Sequence, residues 1–237
     1  MKRTALVTGG AHRIGKAIVL ELGRMGFNIA LHYHRSEQDA KKVARQVEKQ
    51  GVRCHLFQCD FSNMNEVHEL IPRVIEVFPD LNVLINNVSL FEKATLLSTN
   101  EDLFDRMMTV NLKVPLFLTR DFAHHAKKGS VINIVDTKIA RTLFRYFVYT
   151  LTKKSLLDLT LMSAKELAPG IRVNAIAPGL ILPPAGKDES YLDSLSKNIP
   201  LQKKGSPEKV SQAVRFLIES DFITGECIYV DGGEHLK

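Results

Sequence analysis

The run VINIVDT, residues 131–137, is an apolar strand that stops on a carboxylate, Asp136. Tyr149 and Lys153 follow with i, i+4 spacing, which on a helix puts both side chains on one face. An ammonium beside a phenol stabilises the phenolate and draws the tyrosine pKa down from about 10 toward the working range. Tyr149 so placed is a proton donor that can be recharged. A carboxyl in a cleft can have its pKa raised and relay a proton through the phenol. Asp136, Tyr149 and Lys153 are therefore the candidate catalytic residues. The chemistry they suit leaves negative charge on a substrate atom and then protonates it. The plain alternative for Asp136 is a carboxylate that only caps a strand end, and a tyrosine and a lysine often meet this spacing by chance.

The elements that would position these groups alternate strand, turn and helix. TALVT, NIALHYH, VRCHLFQ, NVLINN, SVINIVD, IRVNAIAP and CIYV read as strands, with amphipathic segments between them. Helices are expected over about 100–126 and 147–167, and Ser36 with Asp39 is expected to form a capping box at the start of the second helix. The pattern predicts an α/β fold: a doubly wound parallel seven-stranded sheet covered on both faces, as a single domain over residues 1–237. Right-handed crossovers then place the ligand crevice at the carboxyl ends of the strands. Thr8, His34, Asp60, Asn87 and Asp136 all stand at such ends. The charged segment 183–204 is expected to be a mobile substrate lid.

TGGAHRIG joins the first strand to the first helix. Glycines at 9, 10 and 15 let the backbone turn sharply and approach a pyrophosphate seated on the helix N-terminus. Arg13 stands where such loops often have glycine, and its guanidinium can pair with phosphate or line the substrate cavity. At the tip of the second strand an Asp or Glu would favour NAD. The sequence there is HYHRS, so Arg35 can fork onto a 2′-phosphate while His34 and Ser36 donate further hydrogen bonds. The expected cofactor is NADPH. The alternative leaves Ser36 as a cap and Arg35 as surface.

Composition removes other classes. The chain has 45% hydrophobic and 24% charged residues, as a soluble globular protein does. Its start is too short for a signal peptide, and its longest uncharged run holds prolines and glycines, so no membrane span is expected. Three cysteines without a CxxC pair suit a reducing, cytoplasmic setting, and His32 with His34 lacks a third ligand, so no metal is expected. The net charge of +6 comes with no basic block and no interleaved aromatics, so nucleic acid is not an expected partner.

TGGAHRIG, INN, Asn111, YTLTK, RVNAIAPG and ITGECIYVDGG resemble a short-chain dehydrogenase/reductase, from Thr4 to Gly233. That resemblance implies a Rossmann-like fold, and cofactor contacts from Gly9, Arg13, Ile14 and Gly15 in the loop. His34, Arg35, Ser36, Asp60 and Asn87 would add contacts from the next strand tips, and Lys153, Pro178 and Gly179 from the nicotinamide side. In most of the family a serine ends the fifth strand and steadies a carbonyl. Asp136 there, with Arg13, LHYHRS, NNVSLF and LPPA, resembles the pteridine reductase branch. The implied reaction is reduction of a dihydropterin or oxidised pterin by NADPH, with dihydrofolate also possible. Phe91 would cover one face of the pterin, Ser89 and Arg13 would meet its polar edge or the cofactor phosphates, and Asp136 and Tyr149 would protonate a ring nitrogen. Lys153 would hold the nicotinamide ribose. Asn111 would bend its helix and support a water near the lysine, a bend that Pro115 favours. For Phe91 the alternative is plain core. Val88 and Thr152 depart from the common residues and could reshape the pocket. The resemblance also implies a homotetramer built through the 100–126 and 147–167 helices.

Two other functions fit the same residues. One is a ketone or 3-oxoacyl-thioester reductase of the same fold in which Asp136 is a tolerated variant. The other is a non-enzymatic NADPH-sensing protein.

Overall fold

The computed structural model describes residues 3–183 and 189–236. Seven parallel strands form one sheet: β1 (Thr4–Val7), β2 (Asn28–Tyr33), β3 (Cys54–Gln58), β4 (Leu81–Asn86), β5 (Gly129–Ile134), β6 (Ile171–Pro178) and β7 (Cys227–Val230). Their spatial order is β3-β2-β1-β4-β5-β6-β7. The chain therefore winds outward from β1 in one direction, returns, and winds outward from β4 in the other. The crevice outside the carboxyl ends of β1 and β4 is where such a sheet binds ligand.

Continuous apolar runs explain the central strands, because a sheet covered on both faces has no solvent side to alternate toward. Every residue of β1 and β2 is buried. The covering helices bury one stripe each. On one face lie α1 (Arg13–Arg24), α2 (Glu37–Glu48) and α8 (Pro207–Glu219), which put Ile18, Val19, Leu22, Val43, Val47, Val214 and Leu217 against the sheet. On the other, α3 (Met64–Val77) and α5 (Val114–His125) bury Leu70, Ile71, Val74, Leu118 and Phe122. Truncating a fully buried side chain such as Phe122 would cost about 3–5 kcal/mol.

The long helix expected over about 100–126 is three pieces. α4 (Glu101–Met108) runs into a π turn, Thr109–Lys113, and then α5. The Val114 N–H donates to the Thr109 carbonyl, one residue wider than an α-helical bond. Pro115 has no N–H with which to close the normal bond to residue 111, so the ladder widens just ahead of it. The helix expected over 147–167 is α6 (Phe147–Leu167). Segment 183–204, expected to be a lid, holds α7 (Glu189–Ser196), while 184–188, including the last two residues of LPPA, lie outside the described residues.

The expected capping box at Ser36 does not form, since its side chain makes no capping hydrogen bond. The would-be partner, Asp39, is drawn away instead by Lys42 Nζ at 2.9 Å and His12 Nε2 at 3.6 Å. Among the described residues no helix is long and apolar enough to cross a membrane, and no group of three or more metal-ligating side chains comes together.

Candidate active site

The glycine turn after β1 has the close contacts that a pyrophosphate cradle requires. Gly9 has φ +64°, a region that glycine enters without a Cβ penalty. A Cβ on Gly15 would lie 2.2 Å from the Gly9 carbonyl oxygen and 2.7 Å from Asn87 Nδ2. Asn87, just past β4, donates from Nδ2 to the Thr8 carbonyl at 2.8 Å, and its N–H donates to Thr8 Oγ1 at 2.8 Å. Two of the polar strand tips thus hold each other and fix the switch point. Val88 closes on the same turn, its Cγ2 standing 2.9 Å from where a Gly9 Cβ would sit.

A residue that the sequence had suggested only as a rejected metal ligand completes this loop. His32 Nδ1 accepts from the Gly9 N–H at 3.0 Å, so Nε2 carries the proton and donates to the Cys59 carbonyl at 3.0 Å. The ring stacks on Phe61 with centroids 4.2 Å apart. Burial pushes the His32 pKa down from 6.5 to about 4, so the folded protein holds the ring neutral. The unfolded chain binds this proton more readily. The resulting stability is full above pH 6.5 and is lost as pH falls through about 4, amounting to about 3 kcal/mol. Urea unfolding between pH 7 and 4 should show that loss in the wild type and a shallower one in His32→Gln. Identical slopes would refute the assignment.

Beyond β2, His34, Arg35 and Ser36 line a cavity of about 630 Å³ together with Gly9, His12 and Asp60. Arg35 is exposed, and the Ser36 hydroxyl makes no cap bond, so both can meet a ligand. Asp60, at the tip of β3, lies 3.4 Å from His34 Nε2, and the Ser62 N–H helps hold its carboxyl below the usual range. These residues could hold the adenosine half of a dinucleotide whose 2′-phosphate faces Arg35.

The second cavity, about 420 Å³, lies on the other side of the glycine turn. Arg13, Ile14, Asn87, Ser89, Phe91, Asp136, Tyr149, Lys153, Pro178 and Gly179 all line it, so the sequence-selected residues do converge. Arg13 adopts φ +51° and donates from Nη2 to the Pro183 carbonyl at 2.9 Å, linking the glycine turn to the segment after β6. At the tip of β5, Asp136 makes two contacts through its two carboxylate oxygens. Its Oδ1 caps the 3-10 turn Thr137–Ala140 by accepting from the Lys138 N–H at 2.8 Å, and its Oδ2 accepts from the Tyr149 hydroxyl at 2.7 Å.

One expectation is overturned here. Lys153 does not lower the Tyr149 pKa in the free protein, which is raised well above 10 by burial and by the neighbouring Asp136. The ammonium donates to the Ile134 carbonyl at 2.8 Å and lies over the phenol ring, 5.9 Å from its centroid, without bonding the hydroxyl. Lys153 is itself almost wholly buried, which pushes its pKa down from 10.5 to about 8. Burial and the Asp136 charge together keep the phenol protonated.

Phe91 is not core, being 42% exposed at the cavity. It stacks on Tyr146 with centroids 4.7 Å apart and meets Tyr149 edge-on at 4.6 Å. The Phe147 N–H, bonded to the Ala94 carbonyl at 2.8 Å, pins Tyr146 in place. Asn111 sits in the π turn, fully buried, and bonds the Leu90 backbone through both its N–H and its carbonyl, at 2.8 and 2.9 Å. Its Nδ2 also reaches Thr152 Oγ1 at 3.1 Å, so the unusual threonine is used to tie α6 to the loop carrying Ser89 and Phe91. Lys138, Tyr146 and Glu234 also line this cavity. They belong to no sequence motif, so only the fold brings them here.

A family model described as enoyl-(acyl carrier protein) reductase matches residues 9–235. The chain belongs to the short-chain dehydrogenase/reductase family. It is an oxidoreductase of that family, with the seven-stranded sheet the family carries. Its sequence is 30% identical over 250 residues to the 3-oxoacyl-[acyl-carrier-protein] reductase FabG of Staphylococcus epidermidis, covering 100% of both chains. Its structure superimposes with TM-score 0.95 on FolM alternative dihydrofolate reductase 1 from Brucella suis in complex with NADP, at 35% identity, covering 99% of this chain and 96% of that one. A blue fluorescent protein from a metagenomic library, in complex with NADPH, gives TM-score 0.89 at 29% identity over 98% of this chain and 97% of that one.

Proposed function

We propose that this chain is an NADPH-dependent reductase of pteridines, converting a dihydropterin or an oxidised pterin to the tetrahydropterin, with dihydrofolate a further candidate. The observation that carries this reading is the acid at the tip of β5, with Asp136 Oδ2 2.7 Å from the Tyr149 hydroxyl, where a carbonyl-reducing relative would present a serine. Bound NADPH would supply the hydride. Adding hydride to a C=N bond leaves negative charge on nitrogen, which calls for a positioned acid rather than a carbonyl clamp. Tyr149 gives its proton to that nitrogen, and the phenolate oxygen recovers one through Asp136 once that carboxylate, which otherwise accepts from the phenol, has itself been protonated. Asp136 is recharged from water at the cavity mouth, where its side chain keeps 16% of its exposure. The open Phe91 ring offers a stacking surface for a flat heterocycle. Ser89 and Arg13 would serve its polar edge or the cofactor phosphates, and Lys153 would hold the nicotinamide ribose.

The test is an NADPH-oxidation screen over dihydropterins, dihydrofolate and an acetoacetyl thioester. Pterin turnover above thioester turnover is the expected result. The reverse would favour the second reading, a 3-oxoacyl-thioester reductase, which draws support from the full-length likeness to the staphylococcal enzyme. Within the same screen NADPH should be preferred to NADH. Arg35→Ala should lower kcat/KM for NADPH by about 10–100-fold, the effect of losing hydrogen bonds to a charged group. A wild type indifferent to the two cofactors would refute the 2′-phosphate role. We also infer a homotetramer built through α4 to α6, where Leu116, Leu151, Leu161 and Met162 stand exposed.

A further inference from the structure

We propose that Glu234 and Lys138 form a specificity-determining pair that reads the C6 substituent of the pterin, favouring a short hydroxylated chain. The inference rests on the pteridine reading and adds to it a preference among pteridines.

Both residues reach the substrate-side cavity from turns that one hydrogen bond ties together. Lys138 lies in the turn Thr137–Ala140, and Glu234 opens the last turn of the chain. Thr137 Oγ1 donates to Asp231 Oδ2 at 2.5 Å, and Asp231 accepts in turn from the N–H groups of Gly233 and His235 at 2.9 and 2.8 Å. Arg141 adds a hydrogen bond to the Glu234 carbonyl. The backbone on both sides of the pair is thus held, which a selective contact needs.

The side chains are less committed. Lys138 Nζ lies 3.4 Å from Asp136 Oδ1 and 5.4 Å from the Phe91 ring centroid, so it borders both the proton-delivering group and the stacking face. The Glu234 carboxylate packs against Gly179, where an added Cβ would lie 2.9 Å from Oε2. Its approach to Arg141 is loose, at 3.9 Å, leaving acceptor sites toward the cavity. Burial pushes its pKa up despite the nearby Lys138 and Arg141, so a donor that pairs with it has little water to compete against.

The chemistry of the reduced bond orients the ring. In a dihydropterin the bond reduced joins N5 to C6, and the substituent is on C6. The nitrogen that takes the proton must meet Tyr149 and Asp136, so groups bordering Asp136 face the substituent. The aminopyrimidine edge lies at the far end of the bicycle. A hydroxyl on the first or second substituent carbon can donate to Glu234 and accept from Lys138. A methyl group does neither, and the anilino linker of a folate brings one N–H and a large apolar ring.

The experiment measures kcat/KM at saturating NADPH for dihydrobiopterin, 6-methyl-dihydropterin and dihydrofolate in the wild type, Glu234→Ala and Lys138→Met. The wild type should prefer dihydrobiopterin to the methyl compound by about 10–100-fold, the scale of hydrogen bonds to charged groups. Dihydrofolate should fall below dihydrobiopterin. In either variant the ratio of hydroxylated to methyl substrate should collapse to within about 2-fold of one. A residue that merely supported the fold would lower both substrates and leave their ratio alone, so an unchanged ratio overturns the proposal, as does a wild-type ratio near one. A wild type that reduces thioesters and no pterin overturns the pteridine reading itself, a result distinct from either.

Discussion

Tyr149→Phe lowers kcat for pterin-dependent NADPH oxidation by about 10²–10⁴-fold, the usual worth of a positioned general acid, and leaves the fold intact. The phenol is buried and donates a hydrogen bond to Asp136, so removing the hydroxyl leaves no cavity larger than one oxygen. Asp136→Asn keeps the shape of the strand tip and can still accept from the Lys138 N–H, but it cannot replenish the proton that Tyr149 gives away. It should therefore be slow as well. Because the two residues act on one proton, the double variant should be little worse than the poorer single one. Asp136→Ser would restore the hydroxyl that carbonyl-reducing relatives present. Steady-state rates across pH for these variants decide the matter. If Asp136→Asn kept the wild-type kcat and pH profile, the carboxylate would be only the cap of the turn that follows it.

Gly15→Ala should abolish useful cofactor binding, raising the NADPH dissociation constant by about 100-fold or more. It should also cost about 1–3 kcal/mol of stability, as overpacking does. The added methyl would sit 2.2 Å from the Gly9 carbonyl oxygen, a backbone atom that cannot rotate away, so the whole turn has to move. Gly26→Ala is the control. Gly26 has φ +81° and nothing within 4 Å of an added Cβ, so its replacement brings conformational strain without a steric clash. Fluorescence titration with NADPH and thermal unfolding of both variants separate the two effects. Equal NADPH affinity in both would mean that the turn tolerates expansion and that the cradle is not formed by this close contact.

The sequence by itself determined what depends on short-range pattern. Strand and helix order, the glycine turn, the carboxylate ending β5 and the shared face of Tyr149 and Lys153 are set by periods of two and 3.6 residues and by turn chemistry. Even the widened turn ahead of Pro115 is local, because a missing N–H acts within one turn of helix. The convergence of Arg13, Asn87, Asp136 and Tyr149 on one cavity followed from the parallel topology, which gathers strand tips at one edge.

Only the tertiary structure decided which partner each polar group finds there. Lys153 lies one turn from Tyr149 yet bonds the Ile134 carbonyl, nineteen residues back in the chain, while burial and the Asp136 charge raise the phenol pKa where spacing alone predicts a fall. Asp39 is met by His12 from the start of α1 as well as by Lys42 one turn on, and the Ser36 side chain makes no capping bond. His32 looks like any strand histidine until its two nitrogens are found to join the turn after β1 to the end of β3. Lys138 and Glu234 stand almost a hundred residues apart, brought together by the contact of Thr137 with Asp231. Burial and charge pairing depend on neighbours distant in sequence, and no local period encodes them.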